Sequence, residues 1–157
     1  MTDRARLQAR LVAAGWTVAV AESLTGGLLT GALTELAGAS EVVRGGLVVY
    51  ATDLKATLAG VSADLLASRG AVDPDVALAL ARGARERLGA TIGIGVTGVA
   101  GPDRQDGIGV GTVFVAITHP DGERVEKHRF SGDRSAIRTA SVAAALELLD
   151  RESRSYL

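Results

Sequence analysis

Four short stretches of this chain carry residue types able to do chemistry. In AESLTGG, residues 21 to 27, Glu22, Ser23 and Thr25 stand between an apolar run and the glycine pair Gly26 and Gly27. A hydroxyl at a strand-to-helix junction is a candidate nucleophile. It also lies beside unsatisfied backbone N–H groups, where an anion or a developing oxyanion is stabilised. The plain alternative is that Ser23 and Thr25 are helix N-caps. One hydroxyl is enough for one cap, so one of the pair is spare. In YATDLK, residues 50 to 55, Lys55 falls in the first turn of a helix that Thr52 is placed to cap. A cation there opposes the helix dipole by typically ~0.3–1 kcal/mol, and partial burial lowers the amine's pKa further. A lysine that is neutral part of the time is the base a serine nucleophile needs. The alternative is a surface lysine offset by Asp53. Tyr50 closes the preceding strand and either joins the core or carries its hydroxyl into the site.

The third stretch is VTGVAGPDRQDG, residues 96 to 107. Thr97 supplies a hydroxyl and an N–H at a strand end, while Gly98 and Gly101 clear space, as in a phosphate or carbonyl cradle. No GK[ST] follows, and no GxGxxG opens a helix, so neither nucleotide fingerprint is present. A glycine-rich turn without a ligand is the alternative. The fourth is FSGDRSAIR, residues 130 to 138, where Arg134 and Arg138 share a helix face four residues apart. Both fall in N-terminal turns, where cations are disfavoured; an anion such as phosphate suits arginine's fork. A solvated basic face is the alternative. His119 and His128 lack metal-ligand spacing, and Glu41, Asp53, Asp103 and Asp106 read as solvated acids, so no metal site is expected.

These stretches need elements to position them. The periodicity predicts a helix over 3–14 with Leu7, Leu11 and Ala14 on one stripe and Gly15 as its stop, and a buried strand over 16–21. A helix over 25–37, a strand over 43–51 and short helices begun at Thr52 and Ser62 follow. Asp73-Pro74-Asp75 starts a helix that ends at Gly89. Strands over 91–97, 110–118 and 123–130 come next, with His119 in the turn between the last two. Asp133 caps a final helix reaching about residue 150, and RESRSYL is expected to fray. Helices alternating with apolar strands predict a single three-layer α/β/α sandwich over 1–157, with a mixed, mostly parallel sheet. Ligands of such sheets sit at the C-terminal ends of strands, which gathers the junctions 22–27, 50–55 and 97–102.

The totals agree with one domain. The chain has 157 residues, 47% hydrophobic and 22% charged, enough for a core and too apolar for disorder. A net charge of −1 gives no bulk pull toward nucleic acid or an anionic membrane. There are no cysteines, which excludes disulfide and thiol chemistry and fits a cytoplasmic setting. The charged start reads as neither a signal peptide nor a membrane span.

The segments AESLTGG, GGLVVYATDLK, GVS, GAV, VTGVAGP, VGTVF and GDRSAIR occur in this order over nearly the whole chain. The series resembles the C-terminal domain of the competence/damage-inducible protein CinA. That family includes nicotinamide-nucleotide amidohydrolases, which turn nicotinamide mononucleotide into nicotinate mononucleotide and ammonia. Larger members carry a further pyrophosphatase-type domain, and this chain resembles the stand-alone form. The resemblance implies a serine–lysine hydrolase with no cofactor: Ser23 as nucleophile, Lys55 as general base and Tyr50 beside it. It implies that Thr97, Gly98 and Gly101 line the nucleotide pocket, with Arg134 and Arg138 toward the phosphate. Glu22, Thr25, Gly26 and Gly27 of the first junction complete the expected substrate-binding set. Two departures stand out. Many relatives read Y-S-N where this chain has Tyr50-Ala51-Thr52. Many also have a longer glycine-rich loop where it has the charged Asp103-Arg104-Gln105-Asp106-Gly107.

The expected function is therefore deamidation of a pyridine nucleotide by acyl transfer. The alternative is a module of the same fold that binds a nucleotide or a protein without turnover. Domains of this build often assemble, so a homo-oligomer is expected, and a third reading is a purely structural subunit.

Overall fold

A computed structural model describes residues 1–156. The first helix, α1 (Arg4–Ala14), starts where Asp3 accepts a hydrogen bond from the Arg6 N–H, and it ends at left-handed Gly15, as expected. Leu7 and Leu11 are buried; Ala14 is exposed and off the stripe. Then come β1 (Val18–Glu22), α2 (Leu28–Thr34), a short 3-10 turn, β2 (Val43–Val48), α3 (Thr52–Thr57) and α4 (Ala63–Arg69). The helix α5 (Pro74–Arg87), the strands β3 (Ile92–Gly98), β4 (Thr112–His119) and β5 (Gly122–Arg129), and α6 (Arg134–Tyr156) complete the chain.

The five strands form one sheet in the order β2-β1-β3-β4-β5. β1 runs parallel to both β2 and β3, while β4 is antiparallel to β3 and to β5. The sheet is thus mixed, with β4 alone reversed. The chain leaves β1 first toward one side, to β2, and later toward the other, to β3. The end of β1 is therefore the point where the strand order reverses, the usual place for a crevice in an α/β sheet.

Side chains alternate across the sheet, and the two faces differ in size. Val18, Val20, Ile92 and Ile94 pack with Leu7, Leu11, Leu29, Ile137 and Leu148 of α1, α2 and α6. On the other face Ala19 and Ala21 meet Val76, Leu80 and Ala84 of α5. Here β3 presents Gly93 and Gly95. A Cβ on either would lie 1.9 Å from the Ala81 carbonyl oxygen or 2.2 Å from that of Ala77, so α5 rests directly on the strand. The result is the predicted α/β/α sandwich.

Several local expectations need correction. α2 begins at Leu28 rather than 25, because residues 23 to 27 form a turn. α3 is capped by Ala51 without a side-chain bond, so Thr52 is its first residue and Lys55 its fourth. His119 ends β4 rather than sitting in the turn, and it is buried against Trp16 and Glu152. The tail does not fray through Arg154: α6 runs on to Tyr156, with Glu152 and Ser153 buried and Arg10 bonded to Asp150 and Ser153. The last residue of the predicted frayed tail, Leu157, lies outside the described residues. No helix among the described residues is long and apolar enough to cross a membrane.

Candidate active site

The C-terminal ends of β1, β2 and β3 bring the expected junctions together. Ser23 follows directly on β1, and its N–H donates to the Val96 carbonyl of β3. Lys55 reaches up from α3. Its Nζ lies 3.1 Å from Ser23 Oγ, 2.9 Å from the Val49 carbonyl oxygen and 3.2 Å from that of Tyr50. Lys55 is 1% exposed and makes no ion pair among the described residues. Burial drives its pKa down from 10.5 to about 8, and Asp53 offsets only part of that. Desolvation is the largest cause of the shift.

The acceptor set has a chemical consequence. As an ammonium, Lys55 offers three N–H groups to three oxygens. As an amine it keeps two for the two carbonyls, and its lone pair then faces the Ser23 hydroxyl. Losing one proton therefore makes an oriented base without moving the side chain.

Glu22, expected beside the substrate, has another task. It is fully buried. Its Oε1 accepts from Thr25 Oγ1 at 2.6 Å, Gly27 N at 3.0 Å and Leu29 N at 3.1 Å; its Oε2 accepts from Thr30 N at 2.9 Å and Thr30 Oγ1 at 2.7 Å. Gly27, the N-cap of α2, has no side chain to cap with, so Glu22 satisfies the first-turn N–H groups from outside the helix. Thr25 is also fully buried and gives its hydroxyl to Glu22, so neither side chain faces a ligand. The helix is capped, as the sequence required, but by a carboxylate six residues upstream of its first residue rather than by Ser23 or Thr25. That leaves Ser23 free. Gly26 (φ +57°) and Gly27 (φ +103°) hold the left-handed turn between them.

In front of Ser23 opens a cavity of about 490 Å³, lined among others by Ser23, Leu24, Tyr50, Gly98, Gly101 and Arg134. A Cβ on Gly98 would meet the Thr112 carbonyl oxygen at 2.7 Å, so that glycine is required by the packing of β3 on the β4 entrance. Thr97, expected in the lining, is 1% exposed and donates its hydroxyl to the Ala71 carbonyl at 2.7 Å; it ties β3 to the segment before α5. Tyr50 is exposed at the rim. Its hydroxyl accepts from Arg134 Nη2 at 2.8 Å, and only its carbonyl reaches Lys55. Arg134 Nη1 donates to the Gly101 carbonyl at 2.6 Å, so this arginine joins two of the three junctions across the cavity mouth. Arg138 is not on the cavity: it donates to the carbonyls of Leu24 and Thr25 behind the nucleophile. A cleft of similar size, about 540 Å³, between α2 and α6 is mostly apolar, and the residues that line it include no serine or lysine.

Sequence reasoning missed Val49, whose carbonyl holds Lys55, and read Asp103 as a solvated acid, although it lines the cavity with Arg104 and Gln105. The first is a main-chain role with no residue-type signal. The second was visible as a charged stretch after AGP.

Comparison with known proteins agrees with this architecture. The model of the CinA C-terminal domain matches residues 2–153. A CinA-like protein of Frankia casuarinae is 51% identical over 141 residues, 90% of this chain and 33% of its own length. A putative competence-damage inducible protein of Desulforamulus reducens is 47% identical over 88% of this chain and 34% of its own. The chain thus spans about a third of the length of these curated relatives. A competence/damage inducible protein of Agrobacterium tumefaciens shares 39% identity at a TM-score of 0.86, covering 95% of this chain and 94% of that one. A CinA superfamily protein of Enterobacter cloacae gives a TM-score of 0.92 at 31% identity, covering 96% of this chain and 89% of that one. The chain belongs to the CinA C-terminal domain family.

Proposed function

We propose that this domain is an amidohydrolase that converts nicotinamide mononucleotide to nicotinate mononucleotide and ammonia through an acyl-enzyme on Ser23. The observation that carries the reading is the 3.1 Å contact between Lys55 Nζ and Ser23 Oγ, with the amine held by two carbonyls and no carboxylate. With a pKa of about 8, roughly a tenth of Lys55 is neutral at pH 7, against roughly a few parts in ten thousand for an unperturbed lysine.

Neutral Lys55 takes the Ser23 proton as Oγ adds to the amide carbonyl carbon. Backbone N–H groups hold the resulting oxyanion. The Lys55 ammonium returns its proton to the leaving nitrogen, the C–N bond breaks, and ammonia departs. Lys55, neutral again, removes a proton from water as that water adds to the ester carbonyl. Collapse expels Ser23 Oγ, which regains its proton from Lys55. The pyridinium charge of the substrate withdraws electrons and makes the carbonyl a better electrophile. Arg134 at the cavity mouth is suited to the phosphate and Tyr50 to the face of the cationic ring.

A binding module would tolerate Lys55→Arg, since arginine keeps the charge; a base cannot, since arginine does not lose its proton. The test is to incubate the protein with nicotinamide mononucleotide and related amides and to measure ammonia. The Ser23→Ala variant should bind the nucleotide and release no ammonia. Release by that variant at the parent rate removes the serine mechanism.

A further inference from the structure

We infer that Arg138 is a positioning residue that holds the nucleophile turn so that the Leu24 N–H faces the reacting carbonyl oxygen; this rests on the amidohydrolase reading.

Three observations support it. The Ser23 carbonyl accepts from the Gly26 N–H at 3.0 Å, closing a tight turn. Across a trans peptide the C=O and N–H point opposite ways, so that bond turns the Leu24 N–H outward from the turn. The Leu24 N–H donates to no acceptor among the described residues. Leu24 also lines the cavity beside Ser23, although its side chain packs into the core. Its backbone is then what the cavity meets, next to the nucleophile's own Oγ.

The turn is held from behind by one side chain. Arg138 Nε donates to the Leu24 carbonyl at 2.9 Å and Nη2 to the Thr25 carbonyl at 3.4 Å. These two peptides follow the one that carries the Leu24 N–H. Arg138 makes no ion pair among the described residues, so its planar fork is spent on main-chain oxygens. Gly26 fits the same arrangement. It sits at φ +57°, and a Cβ there would lie 3.2 Å from Arg138 Nη2. A side chain at 26 would strain the turn and push the arginine away. Glu22 anchors the helix side of the same turn through Gly27, so Arg138 and Glu22 grip it from both ends.

The test uses Arg138→Ala and Arg138→Lys in the full chain. Three readouts are compared: kcat and KM for nicotinamide mononucleotide, affinity for the product nicotinate mononucleotide, and the rate at which a fluorophosphonate labels Ser23, followed by intact mass. Deleting an oxyanion donor outright costs about 10²–10³ in kcat. Loosening one should cost about tenfold or more in kcat and in labelling rate, with KM and product affinity within about twofold. Lysine, lacking the fork, should recover little. A merely structural role would lower thermal stability without separating kcat from product affinity. Parent-rate turnover and labelling in both variants overturns the inference and leaves the amidohydrolase reading intact. An equal loss of kcat and product affinity also overturns it, because Arg138 would then be a ligand contact. A parent that labels at Ser23 but hydrolyses no amide removes the substrate reading alone, and slower labelling in the variants then still supports the inference. A parent that neither labels nor hydrolyses removes both.

Discussion

Two buried charged residues, Glu22 and Lys55, are linked through the main chain of one residue, Val49, and are treated in opposite ways. The Val49 N–H donates to the Glu22 carbonyl, and the Val49 carbonyl accepts from Lys55. Glu22 is surrounded by five donors from its own turn and helix. Lys55 hydrogen-bonds only to neutral oxygens, and Asp53 acts on it through space. A buried charge that is fully bonded builds structure; one left short of compensation keeps a form it can change. The neighbourhood thus separates holding the site from running it.

The contrast is broken most severely by removing the changeable partner. Lys55→Arg should lower amide turnover at least about a thousandfold while the protein stays folded, as measured by ammonia release and circular dichroism. Turnover within tenfold of the parent would place the base elsewhere. Next in size is Glu22→Ala, which leaves five donors without their acceptor and should cost about 3–5 kcal/mol in chemical denaturation. A cost under about 1 kcal/mol would mean that α2 does not depend on this carboxylate.

Lys55→Met sharpens the contrast in the other direction. The folded pKa of Lys55, about 8, lies below its unfolded value of 10.5. The unfolded chain therefore binds more protons between pH 8 and 10.5, and parent stability rises with pH across that window. Below pH 8 the full cost of burying the charge is present. The methionine variant should be more stable than the parent by about 1–3 kcal/mol at pH 7, converging on it by pH 10.5. Orphaned carbonyls of Val49 and Tyr50 offset part of the gain. A variant less stable than the parent at pH 7 contradicts the view that Lys55 is held at a cost. The smallest expected effect is at the rim: Arg134→Ala should raise KM for the mononucleotide about tenfold, with kcat little changed. An equal KM for the phosphate-free riboside and the mononucleotide in the parent protein would separate this arginine from phosphate recognition.

Much of this was legible in the residues. Strands and helices followed from apolar period and from starts such as Asp73-Pro74-Asp75, because caps and burial faces are local properties. The meeting of three junctions followed from a general rule for α/β sheets. The task of Glu22 was not legible: it caps a helix whose own N-cap is glycine, across an intervening turn, and no spacing rule covers that geometry. Thr25 and Thr97 looked like ligand groups because they are hydroxyls at strand ends, yet tertiary packing consumed both. Arg134 and Arg138 share a helix face by spacing, but α6 lies beside the cavity, so one reaches its mouth and the other the back of the turn. The end of α6 was misread because its polar residues Glu152 and Ser153 are buried by partners from other elements, α1 and β4 among them.

The most direct measurement is a heteronuclear NMR titration of the Lys55 side chain in the unliganded protein. The account predicts a midpoint near pH 8, with the signal moving alongside that of the Ser23 hydroxyl's neighbours. A midpoint near 10.5, the value of a solvated lysine, would contradict it.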